Sequence, residues 1–87
     1  MAARVQVYTT TLCGYCVRAK MLLKRLDIPF DEIDVSNDHA KREWLVSATK
    51  RRTVPQIFID DKSIGGFDEL SALERKGELK GLMPAAE

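Results

Sequence analysis

The strongest constraint on this chain is the change of hydrophobic period on either side of Cys13-Gly14-Tyr15-Cys16. Ahead of it, Val5-Gln6-Val7-Tyr8 alternates apolar and polar residues, as a strand with one buried face does, and Thr9-Thr10-Thr11 reads as a break. Behind it, Ala19, Leu22, Leu23 and Leu26 recur at three- and four-residue steps with Arg18, Lys20, Lys24 and Arg25 between them, the pattern of an amphipathic helix. Asp27-Ile28-Pro29 ends that helix, because the residue before a proline avoids the helical region, and Phe30-Asp31-Glu32-Ile33-Asp34-Val35 alternates again. A strand, a helix and a second strand in this order imply a parallel pair joined by a right-handed crossover.

The second half differs. Ser36 or Asn37 is placed to cap a second helix whose buried face is Ala40, Trp44, Leu45 and Ala48. Thr53-Val54-Pro55 leads into a third strand at Gln56-Ile57-Phe58-Ile59, and Asp60-Asp61 turns the chain into Lys62-Ser63-Ile64 as a hairpin. Gly65-Gly66 then allows a reversal into a third helix with Phe67, Leu70 and Leu73 inward, closed by Gly77 in a left-handed C-cap, and Leu82 and Met83 form a last packed turn before residues 84–87 fray. The expected class is α/β, with a small four-stranded mixed sheet flanked by three or four helices on both faces. Its 87 residues make one domain, with an ordered core at about 4–83.

Fourteen Lys and Arg against 13 Asp and Glu leave a formal charge of +1, so no global field draws the chain to nucleic acid or to an anionic membrane. The first residues, Met1-Ala2-Ala3-Arg4-Val5-Gln6-Val7, contain no apolar stretch of the length a secretory signal needs, and no run approaches a membrane span. The expected address is cytoplasmic. Structural disulfides are rare there, so the use of the two cysteines becomes the question.

Cys13 falls at or just before the start of the first helix and Cys16 one turn inside it, which brings both sulfurs to the same side. The first N–H groups of a helix have no intrahelical partner, and with the positive end of the helix dipole they favour an anion such as a thiolate. Cys13 is therefore the expected exposed nucleophile and Cys16, beneath the helix, the resolving thiol. A bridge across so few residues constrains the unfolded chain little, so it is a poor staple. Two small apolar residues could occupy a helix start, but packing does not demand this spacing. Zinc wants four ligands, whereas the chain offers two cysteines and a distant His39, which reads as a solvated or capping residue on the second helix.

Three segments together give a resemblance: Cys13-Gly14-Tyr15-Cys16 after a strand, Thr53-Val54-Pro55-Gln56-Ile57-Phe58-Ile59, and Gly65-Gly66-Phe67-Asp68-Glu69-Leu70. In this order they resemble the dithiol glutaredoxins, from Val5 to about Met83. The resemblance implies the thioredoxin fold in a short form. It implies a glutathione-disulfide oxidoreductase that reduces protein disulfides and glutathione mixed disulfides, with Cys13 as nucleophile and Cys16 as resolver. The glutathione site it implies is Tyr15, Thr53, Val54, Pro55, Gly66, Phe67 and Asp68, with the Val54-Pro55 bond cis. In that site the Val54 backbone pairs with the peptide as an added strand would, and Asp68 with the nearby helix start holds the γ-glutamyl end. Within Lys50-Arg51-Arg52, Arg52 or Lys50 is a candidate for the glycine carboxylate, while Trp44 and Phe58 read as core. Partners are glutathione and disulfide-bearing or glutathionylated proteins.

Two positions depart from the commoner pattern: Gly14 stands where many relatives have proline, and Thr10 where many have lysine. Relatives lacking that proline, some with the same Cys-Gly-Tyr-Cys, can bind a [2Fe–2S] cluster between two subunits, where two copies of Cys13 and two glutathiones would supply the four thiolates. A glutathione-ligated cluster-binding dimer is thus one alternative, with a monomer expected otherwise. The other is a thioredoxin-like electron donor served by a different reductant or low-molecular-weight thiol.

Overall fold

A computed structural model describes residues 4–79. The expected turn at Leu82 and Met83, and residues 84–87, lie outside the described residues. The elements are β1 (Val5–Thr9), α1 (Gly14–Arg25), β2 (Asp31–Asp34), α2 (His39–Thr49), β3 (Gln56–Ile59), β4 (Lys62–Gly65) and α3 (Phe67–Arg75). They form one four-stranded sheet in the order β2-β1-β3-β4. β1 pairs parallel with β2 and antiparallel with β3, and β3 pairs antiparallel with β4, so the mixed sheet expected from the element order is present. Among the described residues no helix is long and apolar enough to cross a membrane.

Alternation along the two central strands builds a core on each face. Val5, Val7 and Ile57 face Ala19, Leu22 and Leu23 of α1 and Leu70 of α3, and Leu79 closes that layer. The opposite face gathers Tyr8, Val35, Leu45 and Phe58, with Ile33 and Val54 at its margin. The strands at the centre of the sheet are the ones buried on both faces.

Local chemistry moves several boundaries. β1 runs through Thr9 instead of breaking there, because Thr9 is buried and its hydroxyl donates to Glu32 Oε2 at 2.9 Å. α1 stops one turn before Pro29: Asp27 takes φ 57°, and the N–H groups of Asp27 and Ile28 close on the carbonyls of Lys24 and Leu23 at 3.1 and 2.9 Å. That is a Schellman ending, with Asp27 in the place glycine usually takes. Gly77 ends α3 in the same way at φ 76°, as its position in the sequence predicts. Asp60 and Asp61, at φ 51° and 67°, make the two-residue hairpin whose twist matches the strands.

α2 corrects two expectations. Its cap is Asp38, whose carboxylate accepts from the Lys41 N–H at 2.9 Å. Ser36 is engaged elsewhere: its hydroxyl accepts from the Thr11 N–H at 2.8 Å and its own N–H donates to Asp34 at 2.8 Å. Only Leu45 of α2 is buried, while Ala40 and Ala48 are exposed and Trp44 is 49% exposed. Trp44 lays one face on Tyr8 and Phe58, at ring centroid distances of 5.7 and 5.8 Å, and leaves the other to solvent. Phe58 is buried, as expected.

Candidate active site

Cys13 is the N-cap of α1. Its backbone is extended at φ −117°, and its Sγ accepts the Cys16 N–H at 3.1 Å, where a capping serine or aspartate would place an oxygen. The sulfur thus takes up one of the orphan donors of the first turn of a twelve-residue helix. The Cys13 thiol also lies 3.7 Å from the Val54 carbonyl oxygen, to which it donates, so the loop before β3 sits directly against it.

Cys16 is a different environment. It is 1% exposed, against the half-buried Cys13, and both are free thiols. Burial first, and then the hydrogen bond with Cys13, push its pKa up to about 12, with the Thr10 backbone and the charge of Lys20 acting in the opposite direction. At neutral pH Cys16 is a thiol. The division expected from the sequence, an accessible sulfur and one beneath the helix, is present in the structure.

Val54, whose carbonyl meets Cys13, also borders a groove of about 230 Å³ lined by Tyr15, Thr53, Pro55, Gly66, Phe67 and Asp68, together with Arg51 and Glu69. Every residue of the predicted glutathione site lines it. Three elements supply them. Tyr15 leans over from the first turn of α1, half exposed, between Arg18, whose guanidinium is 5.3 Å from the ring, and Phe67, whose ring centroid is 6.1 Å away. The Val54-Pro55 bond is cis. The buried Gln56 side chain holds the Thr53 carbonyl through Nε2 at 2.9 Å, which fixes the loop carrying Val54. Gly66 is the N-cap of α3, so Phe67 and Asp68 present their backbone at a helix start.

Arg51 and Glu69 were not singled out by the sequence reading. Glu69 Oε1 accepts the Gly66 N–H at 2.7 Å, the glutamate half of a capping box, and the two terminal guanidinium nitrogens of Arg51 reach the same carboxylate at 3.3 Å. Arg51, ahead of any other cause, holds the Glu69 carboxyl below its ordinary value. The spacing of Gly66 and Glu69 was the available signal. Gly65 sits at φ 109°, which favours glycine, and a Cβ there would meet Glu69 Oε1 at 2.7 Å and push that side chain aside. Of the basic residues offered for a carboxylate, Arg52 lines a neighbouring cavity of about 360 Å³ with Thr10, His39 and Arg42, and Lys50 lines neither, being the left-handed C-cap of α2. His39 is exposed at the first position of α2.

The comparisons with known proteins agree with this arrangement. Residues 5–64 match the family model described as Glutaredoxin. The chain is 46% identical over 81 residues to Glutaredoxin 3 of Escherichia coli, covering 93% of this chain and 98% of that protein. It is 44% identical over 81 residues to a glutaredoxin of Pseudomonas aeruginosa, covering 93% and 96%. Among solved structures, a crystal structure of a buckwheat glutaredoxin–glutathione complex superposes with a TM-score of 0.85 at 33% identity, covering 93% of this chain and 76% of that one. The solution structure of glutaredoxin from Brucella melitensis gives a TM-score of 0.84 at 41% identity, covering 99% and 94%. With two inequivalent thiols at a helix start on a thioredoxin-like sheet, and agreement of this extent, the chain belongs to the glutaredoxin family of thiol–disulfide oxidoreductases.

Proposed function

We propose that the chain is a glutathione-dependent oxidoreductase that reduces glutathione mixed disulfides and protein disulfides through Cys13 and Cys16. The carrying observation is that the groove beside Cys13 is lined by Tyr15, Thr53, Val54, Pro55, Gly66, Phe67 and Asp68 and ends at the nucleophile through Val54. The glutathione complex of the buckwheat relative supports the same ligand.

The reaction follows from the two sulfur environments. The Cys13 thiolate attacks the glutathionyl sulfur of a mixed disulfide; the S–S bond to the substrate breaks, the substrate thiolate leaves and takes a proton, and glutathione is now bonded to Cys13. A second glutathione thiolate attacks that sulfur, releases glutathione disulfide and returns Cys13 to its reduced state. On a disulfide within one substrate chain, Cys16 loses its proton and attacks Cys13 Sγ, so the substrate leaves with both thiols and a Cys13–Cys16 disulfide remains for two glutathiones to reduce. The Val54 backbone supports the bound tripeptide as a neighbouring strand would, while Asp68 meets its ammonium and the start of α3 its carboxylate. Its compartment is one that keeps thiols reduced, the cytoplasm.

Asp68→Asn tests the groove. The KM for glutathione rises about five- to tenfold with little change in kcat, the effect of weakening one exposed charge-assisted contact; an unchanged KM contradicts the assignment. Because Cys16 is buried, a cluster could draw its protein thiolates only from Cys13 of two chains. Protein purified without oxygen is expected to be colourless and monomeric, and cluster absorbance in a dimer would move the function to a carrier.

A further inference from the structure

A second cleft, of about 480 Å³, shares no lining residue with the groove beside Val54 and is lined by both cysteines, Thr10, Lys20, Glu32 and Asp34 among others. Among the described residues lining it Lys20 is the only cation. Lys20 follows Cys16 by four residues on α1, hence sits one turn along the same face. Its Nζ is fixed by Glu32 Oε2 at 2.9 Å, and the same oxygen accepts from the buried Thr9 hydroxyl at 2.9 Å. Two strands of the sheet thus hold one ammonium beside a cleft that the resolving sulfur also lines.

The resolving step has a difficulty that this arrangement answers. Cys16 must become a thiolate to attack, yet it is buried and held as a thiol, and the hydrogen bond with Cys13 reinforces that state. We propose that Lys20, held by Glu32 and Thr9, is the positioning residue that stabilises the Cys16 thiolate when it displaces substrate from Cys13. The inference rests on the dithiol route proposed above. The Cys16 S–H proton leaves to water in the cleft; the thiolate attacks Cys13 Sγ, the Cys13–Cys16 bond forms, the Cys13–substrate S–S bond breaks, and the substrate thiolate carries away the electron pair and takes a proton. The ionisable groups that line the cleft with Cys16 are Cys13, Lys20, Glu32 and Asp34, and Lys20 is paired with Glu32. Of these only Lys20 carries positive charge, and it works toward the thiolate.

The test is the reaction of the reduced protein with an aromatic disulfide, dithiobisnitrobenzoate, followed by thionitrobenzoate release in a stopped-flow instrument across pH. The first equivalent reports attack by Cys13 and the second reports attack by Cys16. In Lys20→Met the second phase slows about three- to tenfold at neutral pH and its pH profile moves upward, relative to the first phase in the same traces; Lys20→Arg restores it. A second phase whose rate and pH profile are unchanged in Lys20→Met overturns the proposal, and so does an equal slowing of both phases. A wild-type protein that releases only one equivalent shows instead that Cys16 does not resolve, which defeats the dithiol route itself.

Discussion

At the residue scale the two sulfurs differ because one caps a helix and the other lies under it. Cys13→Ser is expected to abolish all turnover. Cys16→Ser is expected to retain reduction of glutathione mixed disulfides and to lose reduction of disulfides within one substrate chain; equal activity of both variants on both substrates would contradict the roles. The raised pKa of Cys16 carries a consequence for stability. A folded-state pKa above the unfolded one contributes stability that is complete below the unfolded value, near 8.5, and is lost as pH rises toward the folded value of about 12. Urea titrations of the reduced protein should therefore show stability falling above about pH 8.5, and Cys16→Ala, in which that thiol is gone, should fall less steeply. The sequence conveyed this asymmetry because it follows from position alone: a helix start for Cys13, the buried side one turn later for Cys16. The cap of Gly66 by Glu69 was legible in their three-residue spacing, but the pairing of Glu69 with Arg51 was not, since a long-range ion pair leaves no periodic trace.

At the element scale, the groove depends on how three segments end or begin. α1 begins at Cys13, α3 begins at Gly66, and the loop before β3 is held by Gln56. Gly65→Ala forces a side chain into φ 109° and against Glu69, which displaces the carboxylate from the Gly66 N–H and from Arg51. The expected cost is about 1–3 kcal/mol of stability, with a raised KM for glutathione, measured by chemical denaturation and steady-state kinetics on the same preparation; a variant as stable as wild type would remove Glu69 from this account. The strands, α1 and α3 were legible because their apolar residues keep a clean period. α2 was legible as a helix but not in its facing. Ala40 and Ala48 follow the helical spacing and are nevertheless exposed, since α2 touches the sheet chiefly through Leu45. Trp44, large enough to reach Tyr8 and Phe58 from the flank, is half outside for the same reason. Short helices with one anchoring residue do not disclose their orientation through period alone.

At the scale of the whole molecule, two apolar layers clamp a four-stranded sheet, and the cysteines lie where the start of the first crossover meets the loop before β3. Leu70 of α3, fully buried against α1 and the sheet, ties the groove beside Val54 to the core. Leu70→Ala is expected to cost about 2–5 kcal/mol, or roughly 4–8 °C in melting temperature for each kcal/mol in a domain of this size. Acid should weaken the fold as well. Lys20 holds the Glu32 carboxyl below its ordinary value and Arg51 does so for Glu69, so both contribute stability that is present above the unfolded glutamate pKa near 4.3 and is lost as pH falls through the lower folded values. Both pairs are partly exposed, and added salt should flatten the acid limb of the melting curve. The architecture was legible in the order of its elements, since strand, helix, strand and then a hairpin leave few ways to close one mixed sheet. The residues proposed for glutathione came from the resemblance and not from periodicity; Tyr15, Thr53 and Asp68 carry no pattern that would unite them without the fold.

Glutathione as the reductant of Cys13 and Cys16 is put to the test by NADPH consumption with glutathione and glutathione reductase on a glutathione mixed disulfide, run beside the same substrate with thioredoxin reductase in place of the glutathione system. Turnover confined to the glutathione system is the predicted result. Turnover only with thioredoxin reductase, or none with glutathione in a folded, reduced protein, would contradict it.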